Sequence, residues 1–215
     1  MQSLPRYFVG TILALASGLL VAAPADAQSV TVNRCAAAKV RCVMGYTHVC
    51  GVQGVLGLFK CHQNATLRGR FVDQVCVNRT VDKITECFRD AERRGVCLTN
   101  DDVVAIQGKV EAFVLDAVEA LTPGFPYPLV NTCAAGKQKA LAEATSDKLE
   151  CFEDAMRRDP GEIDPGCLAR PDGQYAYLWD RIEGNGGCLT LDDDAALLEK
   201  ADAFIADVVT ALDPQ

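Results

Sequence analysis

The clearest pattern in the chain is helical. Val103, Ile106, Val110, Phe113, Val114, Ala117 and Leu121 recur at three- and four-residue spacing, which lines up one apolar face of a helix. The same stretch occurs twice. Residues 97–121 lie over residues 188–212 at an offset of 91 without a gap, so that Ala105, Lys109, Phe113, Asp116 and Leu121 recur as Ala196, Lys200, Phe204, Asp207 and Leu212. Thr99 with Asp102, and Thr190 with Asp193, place a capping-box pattern at the start of each copy.

A shorter stripe precedes each of these helices. Val81, Ile84, Phe88 and Ala91 form one; Tyr175, Leu178, Trp179 and Ile182 form the other. Gly95 and the glycine-rich run 184–187 close them. The second copy begins with a long Ala-, Lys- and Glu-rich segment from Thr132 to about Arg158, which turns Leu141, Thr145, Leu149, Phe152 and Met156 inward and stops at Asp159-Pro160-Gly161. Its counterpart, residues 34–61, contains Gly45, Gly51, Gly54 and Gly57, and is read as the same helix in poorer helix formers. The pattern predicts an all-α protein of two tandem three-helix units running up, down and up. The first spans residues 28–121 and the second residues 132–215. Residues 122–131 link them, where Pro123, Pro126 and Pro128 forbid continuous helix.

Residues 1–27 read as a cleaved signal peptide. Arg6 is its charged start, residues 8–23 its apolar run, and Ala25-Asp26-Ala27 a small-x-small cleavage site. The run is short of the roughly 20 residues that a membrane span needs, and no second one follows. The chain is therefore expected to be exported to the periplasm or secreted, with no transmembrane anchor after cleavage.

That compartment changes how the 11 cysteines are read. In an oxidising environment they are a disulfide framework, and no CxxC is present to suggest a zinc or redox motif. Cys133 and Cys151 share a face of one helix but lie about 27 Å apart along it, too far to bond. In an up-down-up bundle Cys151 meets Cys167 at one end and Cys133 meets Cys188 at the other. In the first unit, near-equal spacing suggests a ladder of Cys61–Cys76, Cys50–Cys87 and Cys42–Cys97. Cys35 is then left unpaired, open to a covalent homodimer. A rival alignment lays Asn33-Arg34-Cys35 and Lys39 over Asn131-Thr132-Cys133 and Lys137; it pairs Cys35 with Cys97 and makes Cys42 the spare. The ladder is preferred because it needs almost no insertion.

The net charge of −8 makes nucleic acid a poor partner. Catalytic patterns are sparse. Ser29 and Ser146 are the serines left after the signal, and no GxSxG, HExxH or P-loop pattern occurs. His48 and His62 sit beside Cys50 and Cys61, but those sulfurs are assigned to bridges, so both histidines are read as ordinary surface or capping residues and no metal or cofactor is expected. The loop with Asp159, Glu162 and Asp164 lacks the alternating ligands of an EF-hand. The aspartates at 101–102 and 192–194 are read as helix caps. Glu143 with Asp147 is read as part of a solvated face. Tyr175 and Trp179 are assigned to the core. Asn64-Ala-Thr66 and Asn78-Arg-Thr80 fit glycosylation sequons, taken as chance in a chain whose composition looks bacterial.

The stretch from Gly186-Gly187-Cys188-Leu189-Thr190 through Asp202-Ala203-Phe204-Ile205-Ala206-Asp207 to Leu212 resembles Cys-rich helical tandem repeats of exported bacterial proteins. The resemblance covers the second unit well and the first in part. It implies the fold and export, and it assigns no activity. The leading expectation is an exported, non-catalytic, disulfide-stabilised helical protein with a binding or structural role. A carrier of a small apolar ligand or lipid is the alternative, and a carboxylate-based hydrolase comes third.

Overall fold

A computed structural model describes residues 30–45, 53–127, 129–158 and 161–214. Among them the protein is all-helical, with α1 at Arg34–Met44, α2 at Gly54–Arg68, α3 at Gln74–Arg94, α4 at Val103–Leu121, α5 at Thr132–Arg157, α6 at Pro165–Gly184 and α7 at Asp194–Leu212. The linker runs between the end of α4 and the start of α5. Among the described residues no helix is long and apolar enough to cross a membrane.

The second half has the three expected helices; the first has four. Its leading segment is broken into α1 and α2, of 11 and 15 residues, which together equal the 26 residues of α5. At the break the chain leaves and returns at almost the same point. The Gln53 amide donates to the Gly45 carbonyl at 3.1 Å. Gly45 has φ +107°, and a Cβ there would come 1.7 Å from the Gln53 carbonyl oxygen. Gly54, at φ +60°, would meet the Val43 oxygen at 2.1 Å. Neither position accepts a side chain, and the left-handed backbone favours glycine independently.

This break re-sets the register. Asn33 caps α1 by accepting from the Ala36 amide at 2.8 Å, and Asn131 caps α5 by accepting from Ala134 at 2.6 Å. The side-chain amide of Asn33 donates to the Val96 carbonyl, and that of Asn131 to the Gly187 carbonyl. The two starts therefore correspond at an offset of 98, whereas the ends correspond at 91.

The bridges follow this register. Cys61–Cys76, Cys133–Cys188 and Cys151–Cys167 join the cysteines that an up-down-up bundle brings together. The other two differ from the expected ladder: Cys35 bonds Cys97, and Cys42 bonds Cys87. Cys35 is therefore not an unpaired thiol, and a homodimer cannot be closed through it. The rival alignment has the Cys35 bond right and the Cys42 assignment wrong. The ladder fails because it counts along one unbroken helix from 34 to 61. Cys50, expected opposite Cys87, lies outside the described residues; the five bridges use ten of the 11 cysteines and leave that one.

One hydrophobic cluster draws on both halves, from Val40, Phe59 and Phe88 to Leu141, Trp179 and Phe204. Helix α5 lies within it, packed against α1 and α2 on one side and α6 and α7 on the other. Its small and apolar residues are buried around most of its circumference, which is why it carries Ala at so many positions.

Candidate ligand groove

Two lysines, one in each half, organise the ends of the bundles. Lys39, 1% exposed, places its ammonium 2.7 Å from both Glu92 and Asp102 and 2.8 Å from the Thr99 carbonyl oxygen. Lys137, also 1% exposed, meets Glu183 at 2.5 Å, Asp193 at 2.6 Å and the Thr190 carbonyl at 2.8 Å. Each ammonium lies over an aromatic ring, Phe88 at 5.4 Å and Trp179 at 4.7 Å. A buried charge survives only when paired and hydrogen-bonded in this way. Asp102 and Asp193 were expected as capping-box carboxylates. Neither makes a side-chain cap bond; each instead accepts from its Thr hydroxyl and pairs with its lysine.

Between α1 and α3 of the first half and α5 of the second, a groove of about 980 Å³ opens. Arg34, Ala38 and Arg41 come from α1; Lys83, Glu86, Asp90 and Arg94 from α3; Asp147, Glu150, Glu153 and Arg157 from α5. The Cys42–Cys87 bridge forms part of the wall, and Cys35 lies at one end. Charged side chains are numerous in the lining, while most of its exposed surface is apolar.

Its electrostatics are uneven. Glu153 is buried and accepts from Arg41 at 2.7 Å and Arg157 at 3.0 Å. Burial raises its carboxyl above the ordinary value, against the pull of the two guanidinium groups. Asp147 is also raised, by burial first and then by the carboxylates of Glu150 and Glu143, with Arg170 opposing. It is not the solvated carboxylate that its place on a charged helix suggested. Gln53, 1% exposed, lines the same groove, and its side-chain amide nitrogen has no hydrogen-bond partner among the described residues.

The second half offers the same position for comparison. There the space between the corresponding faces of α5 and α6, lined by Ala140, Pro171, Tyr175 and Leu178 together with Glu143, Gln174 and Asp147, is about 10 Å³. Ala140 and Leu178 stand where Cys42 and Cys87 stand in the first half, and Tyr175 replaces Ile84. Tyr175 and Trp179 are core residues, as their spacing suggested. The Tyr175 hydroxyl donates to the Asp194 carbonyl at 3.2 Å, and burial raises its pKa.

The remaining candidates fall elsewhere. His48 and Asp159 lie outside the described residues. His62 is not a surface histidine. It is 6% exposed, lies 6.0 Å from the Phe125 ring, and burial lowers its pKa to about 4. Ser146 is buried, and its hydroxyl has no hydrogen-bond partner among the described residues. Asp164 caps α6 by accepting from the Gly166 amide at 2.8 Å. Lys39, Lys137 and Gln53 were missed by sequence reasoning. For the two lysines the signal was the recurring Asn-x-Cys-x-x-x-Lys at the two starts, which the rival alignment uses without giving Lys39 or Lys137 a role; Gln53 carries no such signal.

No protein-family model, curated protein or solved structure matches the chain.

Proposed function

We propose that the protein is an exported, non-catalytic binding protein whose ligand occupies the groove between α1, α3 and α5. One contrast carries this reading. The two halves share caps, buried lysines and end bridges, yet the α1 and α3 faces of the first open with α5 onto a groove of about 980 Å³, while the matching α5 and α6 faces of the second leave a space of about 10 Å³. Packing favours filling such space, so a groove left open at the faces of one copy and not of the other fits retention for a ligand. Export is supported by the five bridges, which persist in an oxidising compartment, and by the character of residues 1–27. The Cys-rich helical repeats of exported bacterial proteins, which the second half resembles, fit the same picture. The ten charged side chains of the lining favour a ligand that carries charge as well as apolar surface over the purely apolar one considered from sequence.

The test is a thermal-shift screen of the oxidised protein against polar metabolites, peptides, saccharides and fatty acids, repeated with Ala38→Trp, which places an indole in the groove. Polar ligands that raise Tm in the wild type and not in the variant support the reading. Ligands that stabilise both proteins equally overturn it.

A further inference from the structure

The groove has two unlike ends. The Asn33 amide donates to the Met156 carbonyl at 2.9 Å, which brings the start of α1, with Arg34, to the end of α5, with Arg157. The Cys35–Cys97 bridge brings Arg94 toward the same end. Asp147 and Glu150 lie further back along α5, where the nearest charges acting on Asp147 include two other carboxylates. Ten residues of helix separate Asp147 from Arg157, or about 15 Å. An extended chain rises about 3.3 Å per residue, so four to five residues span that distance.

A second observation points to a peptide rather than to a simple ion. The Gln53 side-chain amide is buried in the groove lining without a partner among the described residues, a donor suited to a carbonyl oxygen. We propose that the groove binds free peptides of four to five residues, with the α-ammonium at Asp147 and Glu150, the α-carboxylate at Arg34 and Arg157, and a backbone carbonyl on Gln53. This rests on the groove being the binding site. A ligand with separated opposite charges adds to the Arg157–Glu153 pair at one end and meets the carboxylates of Asp147 and Glu150 at the other. Capture of peptide termini by charged groups is a recurring mode of recognition.

The experiment is isothermal titration of the full oxidised chain with alanine peptides of two to eight residues, each free, N-acetylated, C-amidated or doubly capped. Affinity is expected to peak at four to five residues, and each cap to weaken binding about tenfold, the loss of one charge-assisted contact. Asp147→Asn should weaken the free peptide about as much as acetylation does and leave the acetylated peptide unaffected. Equal binding of free and doubly capped peptides overturns the proposal, as does absence of binding by all peptides at millimolar concentration. If the peptides fail while another polar ligand is lost in Ala38→Trp, the peptide assignment falls and the groove stands. If peptides bind Ala38→Trp unchanged, both fall.

Discussion

Phe113 and Phe204 hold the same position in the two copies of the repeated stretch, and they stack on each other, with ring centroids 4.5 Å apart and planes 8° from parallel. Around them the contacts are reciprocal. Lys109 of α4 meets Asp207 of α7 at 2.5 Å, and Lys200 of α7 meets Asp116 of α4 at 2.5 Å. Residue i contacts j while the counterpart of j contacts the counterpart of i, as in a two-fold interface between identical subunits. Here both partners belong to one chain.

The stack, rather than its ionic flanks, is expected to carry the energy. Phe113→Ala or Phe204→Ala should cost about 3–5 kcal/mol in chemical denaturation, and the double variant about 1 kcal/mol less than the two single losses together. Lys109→Met or Lys200→Met should each cost less than about 1 kcal/mol, because these pairs are partly exposed. Equal losses from lysine and phenylalanine variants would argue against this division.

Lys39 and Lys137 should behave unlike those surface lysines. Each substitution to Met strands two carboxylates and a carbonyl, so a loss of about 3 kcal/mol is expected from either. The comparison with Lys109→Met in urea titrations checks it. Similar small effects at all three sites would show that the buried pairs only break even.

His62 sets an acid limit on stability. Burial lowers its pKa in the folded protein from 6.5 to about 4, so the unfolded chain takes up the proton first as pH falls. Stability is then lost from about pH 6.5 down to about pH 4, and levels off below, by about 3 kcal/mol in all. Glu153 acts in the opposite sense: its raised carboxyl favours the folded state as it protonates. His62→Phe isolates the histidine contribution. Its melting temperature relative to wild type should rise as pH drops from 7 to 4, and an unchanged difference would contradict the assignment.

The bridge map makes a chemical prediction. Tryptic peptides of the oxidised protein should contain Cys35 with Cys97 and Cys42 with Cys87, and denaturing alkylation without reductant should reach Cys50 and no other cysteine. Replacing Cys42 and Cys87 by Ala and Leu, the residues standing at those positions in the second half, should preserve the fold at a cost of about 2–4 kcal/mol. Recovery of a Cys50–Cys87 peptide would contradict the pairing.

Much of this fold is legible in the sequence. The apolar spacing of α4 and α7, the stop of α5 at Asp159-Pro160 and the glycines after α3 and α6 all report local physics, but the stripes read as shorter segments understate α3 and α6, which begin at Gln74 and Pro165. The break between α1 and α2 was hidden, because an offset changing from 98 to near 90 looks like mere divergence when alignment is anchored at the end. The buried lysines were hidden because lysine is ordinarily exposed. Nor could the groove be read from sequence: α1, α3 and α5 meet only in the folded chain, and the openness of one copy beside the filling of the other depends on side-chain packing.

The most direct measurement is a ¹⁵N NMR titration of the oxidised protein with a free alanine pentapeptide. Amides at residues 34–42, 83–94 and 147–157 are expected to shift together, while those of 132–140 and 174–182, the filled counterpart, stay in place. Shifts spread equally over both sets, or confined to neither, would contradict a binding groove between α1, α3 and the C-terminal part of α5.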